Sequence, residues 1–399
     1  MPYPRTVVLY SPPLTHRLAR YATTWAIALS MVWAAGHVWA QAQDLTAALN
    51  EQVVMVPKSA IIGSTELETT IYKPDGNGPF PVVVINHGKT YGDPRFQSRY
   101  RPAIAARYFM QRGYVVVVPM RQGFSKSSGN SISGGCNIES NGIAQAEDVK
   151  VVLDYMLTQP YVDGKRVVIA GQSHGGWTTL AFGTLNYPGV KGLINFAGGL
   201  RQEDCAGWQG SLARAAGAYA PKTSMPSVWF YGDNDSYFAR STWEDMLAKY
   251  NLNGSKARMV AFGSFGSDSH AMFGSNAGQP IWQPEITRFL AQIGMPNEPL
   301  AIYSRYAPLI KQAAPPKTDF AVITDAPPLA FLNENAKNGY KTFLTREVPR
   351  AFAVAPTGAW GMANSGDDPM RRALDNCSKF APDQCRLYAV DNDIVWIQP

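Results

Sequence analysis

The chain has 399 residues, 46% of them apolar and 17% charged, with a formal net charge of +6. That composition excludes a disordered polymer and suits one large domain, or one large and one small. No clustered Lys/Arg face accompanies the charge, the nearest being the pair Arg371–Arg372, so no nucleic-acid partner is expected.

Residues 1–42 read as a secretion signal. Arg5, Arg17 and Arg20 precede or open the apolar stretch YATTWAIALSMVWAA, no acid interrupts it, and small residues near VWAQA suit a cut after Ala40 or Ala42. The rival reading, an uncleaved anchor, needs ~20 apolar residues, more than this stretch supplies. Removing the segment takes away three arginines and leaves a net charge of +3. The expected destination is the periplasm or the medium, with no stable membrane insertion after removal.

Short β-branched runs then alternate with helical patterns from about residue 50 to 295. Strands are expected at 53–56, 68–73, 81–86, 114–119, 166–171, 191–198, 227–232 and 258–262. Several are apolar at consecutive positions, as strands buried on both faces of a parallel sheet must be, and the first two could form an antiparallel lead-in. Between 144 and 157, Val149, Val152 and Met156 mark one face of a helix. After Pro296 the texture becomes Pro-rich. Strands are expected near DFAVI, PRAFAVA and CRLYAV, and helices around 332–346 and 368–380. The fold class is therefore α/β, a mostly parallel eight-stranded sheet flanked by helices, followed by a small α+β domain. The boundaries read as 1–42, 43–298 and 299–399.

Four cysteines remain outside the signal. An even count in an exported chain, with no CxxC spacing, favours disulfides over zinc. Cys377 and Cys385 are near neighbours, which leaves Cys136 with Cys205; four buried thiols are the alternative.

The chemistry centres on GQSHGG, residues 171–176, directly after the run RVVIA. A G-x-S-x-G run between a buried strand and a helix forces a tight turn that lifts Ser173 to the top of the sheet. Gly171 and Gly175 supply the room such a turn requires. A serine needs a base, and only His87, His174 and His270 lie outside the signal. His174 adjoins Ser173 and His87 sits in a strand-end loop, so His270 is the base. The orienting acid is expected after 227–232, as Asp235, with Asp233 the alternative. The oxyanion donors are the backbone N–H of His174 and, with less sequence support, that of Lys89. Tyr91, Phe124, Trp177, Trp208, Tyr237 and Phe238 are candidates to line the pocket, and Lys89, Arg121 and Arg201 to attract an anionic acyl group. Each set has a plainer reading, as core aromatics and solvated cations.

INHG (85–88), VVPMRQGFSKSSG (117–129), AGQSHGGW (170–177), YGDNDSYF (231–238) and FGSDSHAMF (265–273) together resemble the α/β-hydrolase superfamily, and within it the dienelactone-hydrolase-like group. The resemblance spans roughly residues 80–295. It implies an α/β-hydrolase fold, a Ser173–Asp235–His270 triad, and neither metal nor organic cofactor. Dienelactone hydrolases proper use a cysteine where this chain has Ser173, which points away from dienelactones toward general carboxylic esters, small or at polymer ends. The alternatives are an exopeptidase of the prolyl-oligopeptidase type and a non-catalytic protein binding through its C-terminal domain.

Overall fold

Buried β-branched runs build the larger of two sheets. The computed structural model describes residues 48–59, 64–90, 92–132, 134–252, 257–307, 314–346, 348–364 and 369–397; the expected signal, residues 1–42, lies outside them. All elements below belong to the unit Leu49–Pro399.

The eight strands of the large sheet are β1 (Glu51–Ser59), β2 (Ser64–Tyr72), β3 (Phe80–Asn86), β4 (Val115–Pro119), β5 (Val162–Gln172), β6 (Val190–Phe196), β7 (Ser227–Tyr231) and β8 (Ala257–Ala261). Their order is β1-β2-β4-β3-β5-β6-β7-β8. β1 and β2 form the antiparallel lead-in, β2 joins β4 antiparallel, and every later pairing is parallel. β3 and β4 are buried along their whole length, which is why their sequences run apolar rather than alternating.

Parallel strands need crossovers, and helices supply them. They are α1 (Ala103–Met110), α2 (Ile138–Leu157), α3 (His174–Gly183), α4 (Trp208–Tyr219) and α5 (Arg240–Leu252), with α6 (Gln279–Gln292) after the last strand. α2 begins earlier than its apolar face suggested, because its first turns carry polar residues that leave no periodic mark. This is the α/β-hydrolase arrangement, with the loops at the carboxyl ends of the parallel strands gathered above the sheet. The Cys136–Cys205 disulfide ties the segment before α2 to the loop before α4.

The C-terminal region has its own antiparallel sheet of β9 (Arg350–Val354), β10 (Trp360–Asn364), β11 (Arg386–Val390) and β12 (Asp393–Ile394), in the order β10-β9-β11-β12. Two helices, α7 (Glu334–Leu344) and α8 (Pro369–Ser378), complete it, and Cys377 pairs with Cys385. One expected strand is absent: DFAVI (319–323) is irregular and lays Phe320, Ala321 and Ile323 against the small core. Conversely β10 carries weak strand formers, Gly361 and Asn364, and owes its strand form to pairing with β9. Gly361 is also needed there, since a side chain would collide with the α8 backbone.

Candidate active site

β5 ends at Gln172 and α3 starts at His174, so Ser173 alone makes the turn between strand and helix. It does so at φ 56° and ψ −125°, a backbone state that costs a non-glycine residue about 1–3 kcal/mol. The neighbours hold it there. Its N–H donates to the Phe196 carbonyl (2.9 Å) and its own carbonyl accepts from Gly199 (3.1 Å). Any side chain at Gly171 would strike the Gly175 carbonyl, and one at Gly175 would strike the carbonyls of Asn86 and His87. The glycines are thus required by close backbone approach, which explains the G-x-S-x-G spacing.

Two loops meet over the elbow. The turn after β7 carries Asp235, whose side chain is fully buried and whose Oδ1 accepts the N–H groups of Tyr237 (2.8 Å) and Phe238 (2.9 Å). Its Oδ2 lies 3.0 Å from His270 Nδ1. Asp233 is exposed and pairs with Arg240 at 3.5 Å instead. The loop after β8 carries His270 in a single 3-10 turn, Ser269–Ala271, capped by Asp268. Asp268 also accepts from the Ser236 N–H (3.1 Å) and hydroxyl (2.6 Å), stitching the two loops together. Burial pushes the Asp268 carboxyl up, but the Ser236 and His270 bonds outweigh it and hold it below the usual carboxylate range. Asn234 adds to the seam, accepting from Phe265 N–H at 3.0 Å and donating to the Gly266 carbonyl at 3.1 Å.

The elbow is joined to this pair by a residue that the sequence reading passed over. Gln172 Nε2 donates to the His270 carbonyl at 2.7 Å, so the residue before the serine fixes the height of the histidine loop. Its place immediately before Ser173 is the one signal that could have drawn attention to it.

On the other side of Ser173 lies the loop after β3. A Cβ on Gly88 would sit 3.3 Å from Ser173 Cβ and 3.9 Å from Oγ, so this loop passes directly over Ser173 and brings the Lys89 backbone near it. His174 is the first residue of α3, where N–H groups lack intrahelical acceptors. His87 is wholly buried, with Nδ1 2.6 Å from the Gly88 carbonyl and Nε2 accepting from the Arg121 N–H at 3.0 Å. Burial first, then the nearby Arg121 charge, hold its pKa well below the ordinary imidazole value. It is a neutral brace for the loop.

The candidate pocket residues scatter. The Tyr237 ring centroid stands 4.4 Å from that of His270, and Phe238 stands 5.8 Å away. Trp208 is half-buried and meets Phe238 edge-on at 6.1 Å. Trp177 is fully buried, packs on Tyr219 at 4.9 Å and donates to the Ile138 carbonyl (3.1 Å), which makes it core rather than pocket. A tryptophan four residues past the elbow turns toward the neighbouring helices α2 and α4, a direction that composition does not reveal. Phe124 is buried against His87, with ring centroids 4.6 Å apart. Arg201 pairs with Glu203 at 3.0 Å, Lys89 is exposed, and Tyr91 lies outside the described residues. Among the described residues no group of three or more His, Cys, Asp or Glu is placed to share a metal ion.

A family model for X-Pro dipeptidyl-peptidases (the S15 family) matches residues 63–265, just over half of the chain. The chain belongs to the X-Pro dipeptidyl-peptidase (S15) family. The S15 match takes in the elbow and the Asp235 loop and stops short of His270. Among solved structures, the chain is similar to Est1E from Butyrivibrio proteoclasticus with ferulic acid bound, at 16% identity and a TM-score of 0.44, over 60% of this chain and 99% of that one. It is similar to esterase 2 from Thermogutta terrifontis at 19% identity and a TM-score of 0.45, over 62% and 96%. For the acylaminoacyl peptidase of Pyrococcus horikoshii the values are 14% and 0.46, over 64% of this chain and 44% of that one. This S15-family chain is a serine hydrolase of the α/β-hydrolase superfamily.

Proposed function

We propose that this enzyme hydrolyses carboxylic esters through an acyl-enzyme on Ser173, with His270 as general base and Asp235 as the acid that orients it. The observation that carries this reading is the convergence on one elbow: Asp235 Oδ2 lies 3.0 Å from His270 Nδ1, and Gln172 bonds the His270 carbonyl at 2.7 Å, beside a serine at φ 56°. His270 takes the Ser173 hydroxyl proton as Oγ attacks the ester carbonyl, and the His174 and Lys89 N–H groups receive the negative oxygen. The proton passes to the departing alcohol. Water then attacks the acyl-enzyme, giving its proton to His270, and Ser173 recovers that proton as the acid leaves.

The family match favours a second reading, release of X-Pro dipeptides. Such substrates present a free ammonium that asks for carboxylates, whereas Lys89 and Arg121, both cations, stand on the strand-end loops beside this elbow. That charge supports the ester reading. Export belongs to the same proposal: two disulfides suit an oxidising compartment, and no described helix is long and apolar enough to cross a membrane.

The test is a rapid-mixing assay of the full chain and Ser173→Ala with p-nitrophenyl acetate, beside steady-state turnover of Ala-Pro-p-nitroanilide and labelling by a fluorophosphonate. A stoichiometric burst that vanishes in the variant, with slow anilide turnover, supports the esterase. Anilide turnover with the higher kcat/KM would move the assignment to the peptidase. A folded protein silent in all three assays would refute both.

A further inference from the structure

Arg121 is the second residue of the loop after β4, and its N–H bond to His87 pins it beside the turn whose Gly88 rests on Ser173. Its side chain is 1% exposed, yet Nε, Nη1 and Nη2 all lack a hydrogen-bond partner. A guanidinium presents five N–H donors and no acceptor, and burying one unanswered is strongly disfavoured. Asp148, the carboxylate that acts on it electrostatically, is already engaged, by Lys58 at 2.5 Å and by the Gln122 N–H at 2.8 Å. Burial lowers the Arg121 pKa to about 9, so the group still carries its charge at neutral pH.

A second orphan lies nearby. His174 is buried, and its Nε2 stands 2.6 Å from Gln145 Nε2. With the Gln145 amide as oriented, its oxygen accepting from Thr178 Oγ1 (3.0 Å), that nitrogen is the donor. The His174 proton therefore sits on Nδ1, which has no partner. Burial, then the charges of Arg121 and Lys89, hold this ring neutral, which places both cations within electrostatic reach of it. Phe124 walls the same space, its ring 5.3 Å from the Arg121 guanidinium carbon and 6.3 Å from the His174 ring. The Arg121 guanidinium and the His174 Nδ1–H thus border one aromatic ring, and none of their nitrogens has a hydrogen-bond acceptor.

We propose that Arg121 and the His174 Nδ1–H bind one small monoanion beside the Ser173 elbow, with Lys89 drawing it in, the anion being a carboxylate of the substrate or a free ion of similar size. The substrate arm rests on the hydrolase reading above; the free-ion arm does not. An anion answers the buried donors that the protein leaves open, and it turns the cationic surroundings of the nucleophile into a preference for acidic substrates.

The test compares p-nitrophenyl hexanoate with mono-p-nitrophenyl adipate, whose acyl chains differ only in a terminal carboxylate, on the full chain and on Arg121→Met. Thermal unfolding is followed in parallel with sodium chloride or sodium formate against sodium isethionate at constant ionic strength. We expect the wild type to favour the adipate in kcat/KM by about 10-fold, and Arg121→Met to lose most of that ratio whatever its absolute rate. A saturable rise in Tm with chloride or formate, absent in Arg121→Met, with equal rates on the two esters, supports the site with a free ion as its occupant. Equal rates together with no anion-specific Tm shift overturn the proposal. If Arg121→Met does not fold, the wild-type ratio and the wild-type titration decide by themselves. Fluorophosphonate labelling of the same preparation keeps the two questions apart: no labelling with a saturable anion shift would remove the hydrolase reading and leave the anion site standing.

Discussion

Replacing Asp235 by Asn separates its two tasks. Oδ1 caps the Tyr237 and Phe238 N–H groups at 2.8 and 2.9 Å, and an amide oxygen can keep both bonds. Oδ2 faces His270 Nδ1 at 3.0 Å inside a fully buried setting, and there the amide presents N–H where an acceptor is required. The imidazole must then turn its proton-bearing nitrogen toward Ser173, the wrong tautomer for a base, and the imidazolium formed in the transition state loses its counter-charge. Loss of such a group lowers kcat by about 10⁴-fold, or ~5.5 kcal/mol of barrier. Stability should move by no more than about 1 kcal/mol, since the caps persist. Asp233→Asn breaks only an exposed pair with Arg240 and should change kcat less than about 3-fold. The assay is burst kinetics with p-nitrophenyl acetate, with urea unfolding as the folding control. An Asp235→Asn enzyme retaining a tenth of wild-type kcat, or an Asp233→Asn enzyme as impaired as its neighbour should be, would refute the reasoning.

Gly175→Ala should be severe, because the new methyl would lie 2.6 Å from the His87 carbonyl oxygen and closer still to that of Asn86; a loss of roughly 3 kcal/mol or outright misfolding is expected, read as Tm and as lost fluorophosphonate labelling. Gln172→Ala removes the 2.7 Å bond to the His270 carbonyl and should lower kcat about 10-fold with KM little changed, which a pH–rate profile of unaltered midpoint would mark as mispositioning rather than altered titration. Acid should weaken the fold before any carboxylate titrates. His87 and His174 are held well below the ordinary imidazole pKa, first by burial, so below about pH 6.5 the unfolded chain binds two more protons than the native one. Stability is then lost as pH falls, at up to about 2.7 kcal/mol per pH unit in urea unfolding between pH 6.5 and 5, and a flat profile would show that these rings are not neutral and buried.

The sequence alone determined the eight strands of the large sheet, because strands buried on both faces must run apolar without alternation. It also determined the elbow, whose glycines answer a local steric demand, and it narrowed the candidate base to His270 by leaving three histidines outside residues 1–42. The cysteine pairings are the expected ones, although four cysteines allow three arrangements and count and spacing do not choose among them. Tertiary structure decided what depends on direction. Which aspartate reaches His270 turns on how one loop folds over another, and a spacing of two residues cannot reveal it. Trp177 became core while Tyr237 came to lie on His270, although both are aromatics close to candidate site motifs. DFAVI gave its apolar side chains to a core without joining a ladder, since strand form requires an edge to pair with. The sequence left Arg121 open between a solvated or paired cation and one that attracts an anionic acyl group. Its burial beside His87, with three nitrogens unanswered, exists only once β3, β4 and β5 lie side by side.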